Sequence, residues 1–535
     1  MDALSTVGTR HTPQSRQADP RQVPNAAGGY VFEVTDESRL RRFLTLGVEG
    51  GTYYARAGDL AVNNAAVVDR MATTDPRLLV DTIVDISTRG AAPRQNPAMF
   101  ALAYAASHGD DRGYALAALP KVARTGTHLF LFARYVEQHR GWGRGLRRAV
   151  ADWYAGKPVD SVAYQAVKYR QREGWSHRDL LRLAHPKTAD PSLNALFRWV
   201  TSGAVDVDAP YPRTLEGFLR AQSATPERIP DLVREYGLSW EMLPDDALTR
   251  ATTWDALLDN GMPQTALIRQ LPRLTRLGML PAMGGRTREV AEQLADPERL
   301  RRARVHPINV LVAQRTYAAG ESARGESAWK PTRTIVDALD AAFYAAFGAV
   351  EPAGKRTMLA LDVSGSMIAS ISNMPLSCRE ASAALALVQM ATEPESECMG
   401  FTAGRSGNYW SRDAVLTPLS ISPRQRLDDA IRAVSRLPFG GTDCALPMQH
   451  ALRAGLAVDT FVVYTDNETW AGHTHPHQAL VEYRQKTGIP ARMIVVGMTA
   501  TQCSIADPSD PGMLDVAGFD AAVPSLISAF SRGDV

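Results

Sequence analysis

The hydrophobic period changes once along this chain, and that change divides the folds open to it. Up to about Ala349, apolar residues recur at i, i+3 and i+4, as in SRLRRFLTLGV, PAMFALAYAASHG, GTHLFLFARYVEQH, TALIRQLPRLTRLG and RTIVDALDAAFYAAFG. That spacing gathers them on one stripe of a helix. Short Gly, Pro, Asp and Ser breaks separate the segments, and almost no strand alternation is visible from Tyr30 onward. After Glu351-Pro352-Ala353-Gly354 the pattern switches. MLALDV, ECMGFT, TFVVYTD and RMIVVGM are apolar runs of strand length, alternating with the helical segments CREASAALALVQMAT, RLDDAIRAVSRL, ALPMQHALRAG and PHQALVEYRQKTG. Apolar strands separated by amphipathic helices mean a parallel, doubly wound sheet. The last helix, within FDAAVPSLISAFSRGDV, is expected to pack on it. The chain is thus read as multidomain: a flexible polar tail over residues 1–27, an all-α array over 28–350 and an α/β domain over 351–535.

Within the array, helix pairs recur without a strict period, which marks a divergent HEAT-like helical repeat. Such arrays curve and present extended surfaces. The N-terminus has no apolar h-region and no run reaches the roughly 18 apolar residues of a membrane span, so no signal peptide and no membrane association are expected. The four cysteines, Cys378, Cys398, Cys444 and Cys503, lie in the last third without C-x-x-C spacing. A disulfide framework is not indicated, and a cytoplasmic, reducing location is expected.

TMLALDVSGSM, from Thr357 to Met367, carries the chemistry of the α/β domain. An apolar strand ends in Asp362, Ser364 and Ser366 follow at alternate positions, and Gly365 permits a tight turn. Oxygen ligands of this kind suit a hard divalent cation, Mg²⁺ before zinc. Ligands in doubly wound folds gather beyond the carboxyl ends of the strands, so the remaining oxygens should come from other strand-to-helix loops. Thr442 in FGGTDCALP and Asp466 at the end of TFVVYTDNE fit. The set Asp362, Ser364, Ser366, Thr442, Asp466 resembles the metal ion-dependent adhesion site of von Willebrand factor A domains. Two carboxylates and three hydroxyls leave coordination positions to water, a partner's carboxylate or a phosphate, and the residues do not choose among these. His473, His475 and His477 lack a neighbouring cysteine or acidic cluster for zinc. One of them is expected to pair with Asp466 or Glu468.

Charge is unevenly spread. The formal net charge is +2, yet residues 1–350 hold 45 Lys+Arg against 38 Asp+Glu, and residues 351–535 hold 14 against 19. Residues 101–200 alone hold 16 against 8, a basic block that points to a polyanion surface. AVKYRQREGWSHRDLLRLAHPK is its centre. Gly174 is read as a helix C-cap and Ser176 with Asp179 as a capping box opening the next helix. On that helix Arg178, Arg182 and His185 share one face, while Lys168 and Arg172 lie one turn apart on the helix before. Arginine forks suit phosphates, and Trp175 and Tyr169 stand near for stacking, although packing between helices is the commoner use of a tryptophan. A second basic stretch, RTGTHLFLFARYVEQHRGWGRGLRR, supplies Arg124, Thr127, His128, Arg140, Arg144, Arg147 and Arg148 around Trp142 and glycines.

RFLTLGVEGGTYYA, NPAMFALA, LPKVARTGTHLF, RGWGR, KYRQREGWSHRDLLRLAHPKT and MPQTALIRQLPRLTRLG, in that order, resemble the Ro autoantigen family, whose RNA-binding part is the TROVE module. The resemblance runs from about Asn25 to the C-terminus. It implies an all-α HEAT-like ring (TROVE) joined to a von Willebrand factor A domain. It further implies that Y-like small noncoding RNA binds the basic outer surface, and that single-stranded 3′ ends of misfolded RNA enter a central hole. Bacterial members are implied to work with polynucleotide phosphorylase in RNA quality control, maturation and degradation. Family RNA contacts carry over first onto Lys168, Arg172, His177, Arg178, Arg182 and His185, then onto Arg124 through His128 and Arg140 through Arg148.

The expected function is non-catalytic RNA binding. The chain has no P-loop, zincin motif, nucleophile elbow or helical carboxylate pair of a nuclease. The alternative is an intracellular scaffold that grips acidic peptides through its metal.

Overall fold

The computed structural model describes residues 11–47, 57–322, 327–348, 350–371, 376–403, 414–423, 425–435 and 441–534. Helices begin where the sequence supplies oxygen caps and prolines. Asp75 accepts from Leu78 N–H at 3.1 Å ahead of the Pro76–Arg89 helix, and Asp190 caps Pro191–Ser202 in the same way. Both use an otherwise orphaned first-turn amide, and the proline costs nothing there because its missing N–H has no helical partner. Gly90 and Gly203 end these helices in the left-handed conformation.

The helices stack in two layers. Ala57–Thr74, Asn96–His108 and Gly126–His139 lie side by side in one, and Pro76–Arg89, Arg112–Val122, Arg144–Ala155 and His177–Ala184 in the other. This is the HEAT-like array the sequence pattern implies. Its two ends meet. His306 Nε2 lies 3.0 Å from Ala91 O and 2.6 Å from Phe519 O, while its Nδ1 accepts from Ile308 N–H at 3.2 Å. Because Nδ1 accepts, the proton sits on Nε2 and is shared between the two carbonyls. Asn309 Nδ2 also donates to Pro93 O at 3.3 Å. No helix among the described residues is long and apolar enough to cross a membrane.

The C-terminal sheet has six strands in the order Met513–Ala517, Arg492–Gly497, Thr460–Thr465, Thr357–Asp362, Ser396–Ala403, Ala414–Pro418. The first five run parallel and Ala414–Pro418 is antiparallel at the edge. AVLTP and MLDVA are strands that the apolar-run pattern passes over. Alternate residues serve two faces. Leu359, Leu361, Val462, Tyr464, Ile494 and Val496 join the core that continues into the helical array. Met358, Ala360, Phe461, Val463, Met493 and Val495 pack with the Leu446–Ala454 and Pro476–Thr487 helices. The Val523–Arg532 helix packs against the sheet edge and the Cys378–Thr392 helix, as expected.

Two expectations are corrected. Residues 11–27 are not a loose tail. Gln22–Pro24 and Tyr30–Glu33 form a three-stranded antiparallel sheet with Cys503–Ser504, so the N-terminal segment belongs structurally to the C-terminal domain. Residues 1–10 lie outside the described residues. Gly174 is not a helix cap either. The helix stops at Lys168, and Glu173 and Gly174, with φ of 57° and 79°, make the turn of a hairpin pairing Gln171–Arg172 with Trp175–Ser176. Positive φ at both central residues is the hairpin-turn geometry that matches strand twist.

Burial lowers the His306 imidazole from 6.5 to about 4. An unfolded chain therefore binds this proton more readily than the folded one, and stability falls as pH drops from about 6.5 toward 4. His306 alone is expected to remove about 2 kcal/mol between pH 7 and pH 5. Denaturant melts at the two pH values measure the drop. H306Q should be less stable at pH 7 yet show a shallower pH dependence, and an unchanged slope would refute the assignment.

Candidate metal centre and nucleic-acid interface

The central strand Thr357–Asp362 pairs with Ser396–Ala403 on one side and Thr460–Thr465 on the other. The chain reverses its direction of winding here, the position at which doubly wound sheets bind their ligands. Asp362 and Asp466 both stand at this edge, one at the end of its strand and one directly after Thr465. Asp362 Oδ1 accepts from Ser364 N–H at 2.9 Å and Oδ2 from Thr465 Oγ1–H at 2.8 Å. Ser364 and Ser366 hydroxyls are 2.9 Å apart. Thr442 arrives from the facing loop, its carbonyl accepting from Trp470 and Ala471 N–H at 3.1 Å each. Phe439 and Gly440 of that loop lie outside the described residues. All five residues are at most 2% exposed.

The electrostatics favour a cation. Burial raises the Asp362 carboxyl. Burial, then the charges of Asp362 and Glu468, push Asp466 well above the carboxylate range. Two buried carboxylates beside each other are costly unless a positive charge compensates. Asp466 Oδ1 accepts from Glu468 N–H at 3.1 Å, while Asp466 Oδ2 and Thr442 Oγ1 are buried without a hydrogen-bond partner. Oxygens left bare in a dry site fit a hard divalent cation, and Asp362, Ser364, Ser366, Thr442 and Asp466 would hold it. Bound there, it would supply a Lewis-acidic point for an incoming oxygen anion.

Two neighbours escaped the sequence reading. Thr465 secures Asp362, and its place just before Asp466 was a signal. Arg379, buried on the Cys378–Thr392 helix, donates to the carbonyls of Val363 and Ser364; nothing in its helical context announces this. The histidine expectation is corrected. His475 Nε2 donates to Arg16 O at 2.8 Å and its Nδ1 takes Gln22 Nε2 at 3.1 Å, while His477 packs edge-on against Phe32. Glu468 accepts instead from Ala27 N–H at 2.9 Å.

The thirteen basic-region candidates separate by burial. His177 is 2% exposed, with Nδ1 2.6 Å from Tyr154 OH and its ring against Phe130, and burial lowers it to about 4. It is a core residue, not an RNA contact. His128 is half-buried and, by burial and then Arg124, also falls to about 4. Arg124 donates to the Ser87 carbonyl and, at 3.0 Å, to Ser87 Oγ, tying two helices together; burial lowers it to about 10. Lys168 is committed too, at 3.0 Å from Glu241 Oε1 and 3.0 Å from Tyr164 OH. Thr127 is half-buried beside Thr125, which caps the helix.

The others face solvent. Arg140, Arg144, Arg147, Arg148, Arg172, Arg178, Arg182 and His185 are all exposed. Ser176 and Asp179 form the expected capping box, so Arg178 and Arg182 lie one turn apart on the His177–Ala184 helix. His185 ends it with φ of 47°, and Arg172 sits on the hairpin, not on the preceding helix. Trp142 and Trp175, 5.2 Å apart, pack the two basic stretches against each other. Both tryptophans are thus spent on packing, which joins the two stretches that carry the exposed arginines.

Mg²⁺ should raise the melting temperature of this protein. At 100 times the dissociation constant, the ion adds about 2.7 kcal/mol. D466N is expected to lose that increment, and coincident melts of the unsubstituted protein in Mg²⁺ and in EDTA would rule the ion out.

This geometry has relatives. The TROVE domain model matches residues 23–210 and 211–316, and the Ro60 vWA domain model matches 356–531. The RNA-binding protein RO60 of Deinococcus radiodurans is 44% identical over 540 residues, spanning 99% of each chain. The protein of the same name from Caenorhabditis elegans is 35% identical over 603 residues, 98% of this chain and 92% of that one. The crystal structure of the Deinococcus radiodurans RO (RSR) protein aligns with a TM-score of 0.69 at 43% identity, over 94% of this chain and 100% of that chain. A helical array closed by a sheet with an oxygen-lined switch point is therefore a TROVE domain followed by a Ro60 vWA domain, and the chain belongs to the Ro60 family.

Proposed function

We propose that this protein is a non-catalytic RNA-binding protein of the Ro type. The observation that carries the reading is the exposure of Arg140, Arg144, Arg147, Arg172, Arg178 and Arg182 on two basic stretches that Trp142 and Trp175 pack together. Scarce acids in the same stretch and planar guanidinium forks make it a surface for phosphates. Relatives that match essentially the whole chain bear the name RNA-binding protein, which supports carrying that activity here. The partner is a structured small RNA of the Y-like class on the basic face. A second, single-stranded 3′ end of misfolded RNA enters the closed helical array, as a step in noncoding RNA quality control, with polynucleotide phosphorylase as the degrading partner. Mg²⁺ at Asp362, Ser364, Ser366, Thr442 and Asp466 is an accessory ion of the C-terminal domain.

Gel shifts test the two parts separately. Structured RNA with a 3′ single-stranded tail should bind more tightly than the same RNA without it. Indifference to the tail would remove the channel from the model. Replacing Arg178 and Arg182 together by Glu should weaken binding at least ~10-fold, since each charge-assisted contact contributes about 1.5–3 kcal/mol. The salt dependence should flatten by about one unit of slope per lost phosphate contact, with little change in melting temperature. An unchanged affinity would take these arginines out of the site.

A further inference from the structure

Gln14 lies in the segment that the sequence marks as a polar tail, yet it is fully buried. Its carboxamide sits between the two loops that bring the distant oxygens to the metal centre. Nε2 donates to Asp443 Oδ1 at 2.7 Å and to Thr474 O at 2.8 Å. Oε1 accepts from Thr469 Oγ1–H at 2.6 Å and Gly472 N–H at 3.3 Å. Asp443 is the residue after Thr442, and Thr469 is three beyond Asp466. Thr469 Oγ1 also accepts from Cys444 N–H at 3.2 Å, which ties the same two loops a second time.

Asn25 continues the hold on the Asp466 loop. Its Nδ2 donates to Asn467 O at 3.3 Å and Thr469 O at 2.8 Å, and its Oδ1 accepts from Gly29 N–H at 2.7 Å. Asn467, directly after the carboxylate ligand, has φ of 66°, a left-handed turn that needs outside support. The approach is close enough that a side chain at Gly29 would overlap Thr469 O, and one at Gly472 would overlap Asp443 and Gln14.

We propose that Gln14 and Asn25 are positioning residues of the metal centre: the N-terminal strap holds the Thr442 and Asp466 loops at the spacing the cation requires. The inference rests on the metal reading above. Asp362, Ser364 and Ser366 need no such help, because one strand end and the turn after it deliver all three. Thr442 and Asp466 come from separate loops, joined by the Thr442 carbonyl to Trp470 and Ala471 N–H and braced further by Thr469 and the strap, and outer partners of this kind set affinity by fixing where the ligands stand.

The test uses the full chain and isothermal titration with Mn²⁺, alongside melts in EDTA. Q14A and N25A should each bind Mn²⁺ ~10-fold to 100-fold more weakly, the range for lost outer-shell partners. R21A is the control. Arg21 anchors the same strap to Asp507 at 2.7 Å but touches neither ligand loop, so its variant should keep the affinity of the unsubstituted protein. Unchanged affinity in both Q14A and N25A overturns the proposal, even if their melts in EDTA are lower. Equal weakening in R21A overturns it as well, by showing general loosening. Should Q14A fail to fold, N25A carries the same expectation with the Gln14–Asp443 contact intact. Absence of Mn²⁺ binding by the unsubstituted protein refutes the metal reading itself, an outcome distinct from the others.

Discussion

One imidazole proton joins three parts of this chain that are remote in sequence. His306 opens the Pro307–Ala319 helix, and its Nε2–H is shared between the carbonyl after the third array helix and a carbonyl of the C-terminal domain. A helical solenoid does not close by itself, because each repeat contacts only its neighbours. Closure needs contacts between parts of the chain remote in sequence, and His306 makes two of them. Arg42, 1% exposed, reaches from the Asp36–Leu46 helix to Thr501 O at 2.7 Å, Cys503 O at 2.8 Å and Asp515. Arg315 pairs with Glu380 at 2.8 Å from the other end of the array. The core of the array then runs without a break into one face of the sheet. The C-terminal domain is the piece to which both ends of the array are fastened.

The two functional regions use opposite electrostatic strategies. The candidate metal centre buries two carboxylates at one sheet edge, so the affinity of any cation there would depend on how firmly neighbouring groups fix the oxygens. The candidate arginines are exposed, and a phosphate would arrive there with its own counterions to release. Precise placement matters less there, because guanidinium groups on flexible stems find their partners.

Much of this was legible in the residues. The change of period at Glu351 separated the two architectures, Ser176 and Asp179 marked the helix that carries Arg178 and Arg182, and Asp362, Ser364, Ser366, Thr442 and Asp466 stand in loops that a doubly wound fold must place at one sheet edge. What stayed hidden has a common cause. Arg124 and Arg178 are the same residue type in equally basic surroundings, but one donates to Ser87 inside the array and the other faces solvent. Burial is set by partners distant in sequence, and residue type alone does not report it. The hairpin at Glu173-Gly174 was missed because a glycine after a helical run reads equally as a cap or a turn. Gln14 and Asn25 sat in a polar, Pro- and Gly-containing stretch whose partners lie more than 400 residues away.

That separation has a consequence for how the molecule is made. Gln14 and Thr469 are 455 positions apart. At ribosomal speeds of about 5–20 residues per second, the first segment waits roughly 20 to 90 seconds for its partner to be synthesised. Throughout that interval the array can stack, repeat on repeat, and its ends can meet at His306 and Ala91, but the contacts to the C-terminal domain are missing. The contacts of His306 with Phe519, of Arg42 with Thr501 and Cys503, and of Arg315 with Glu380 wait until the last domain leaves the ribosome. Fastening of the N-terminal segment to the C-terminal domain is then a late event, so a truncated product lacks that clasp however complete its helices are.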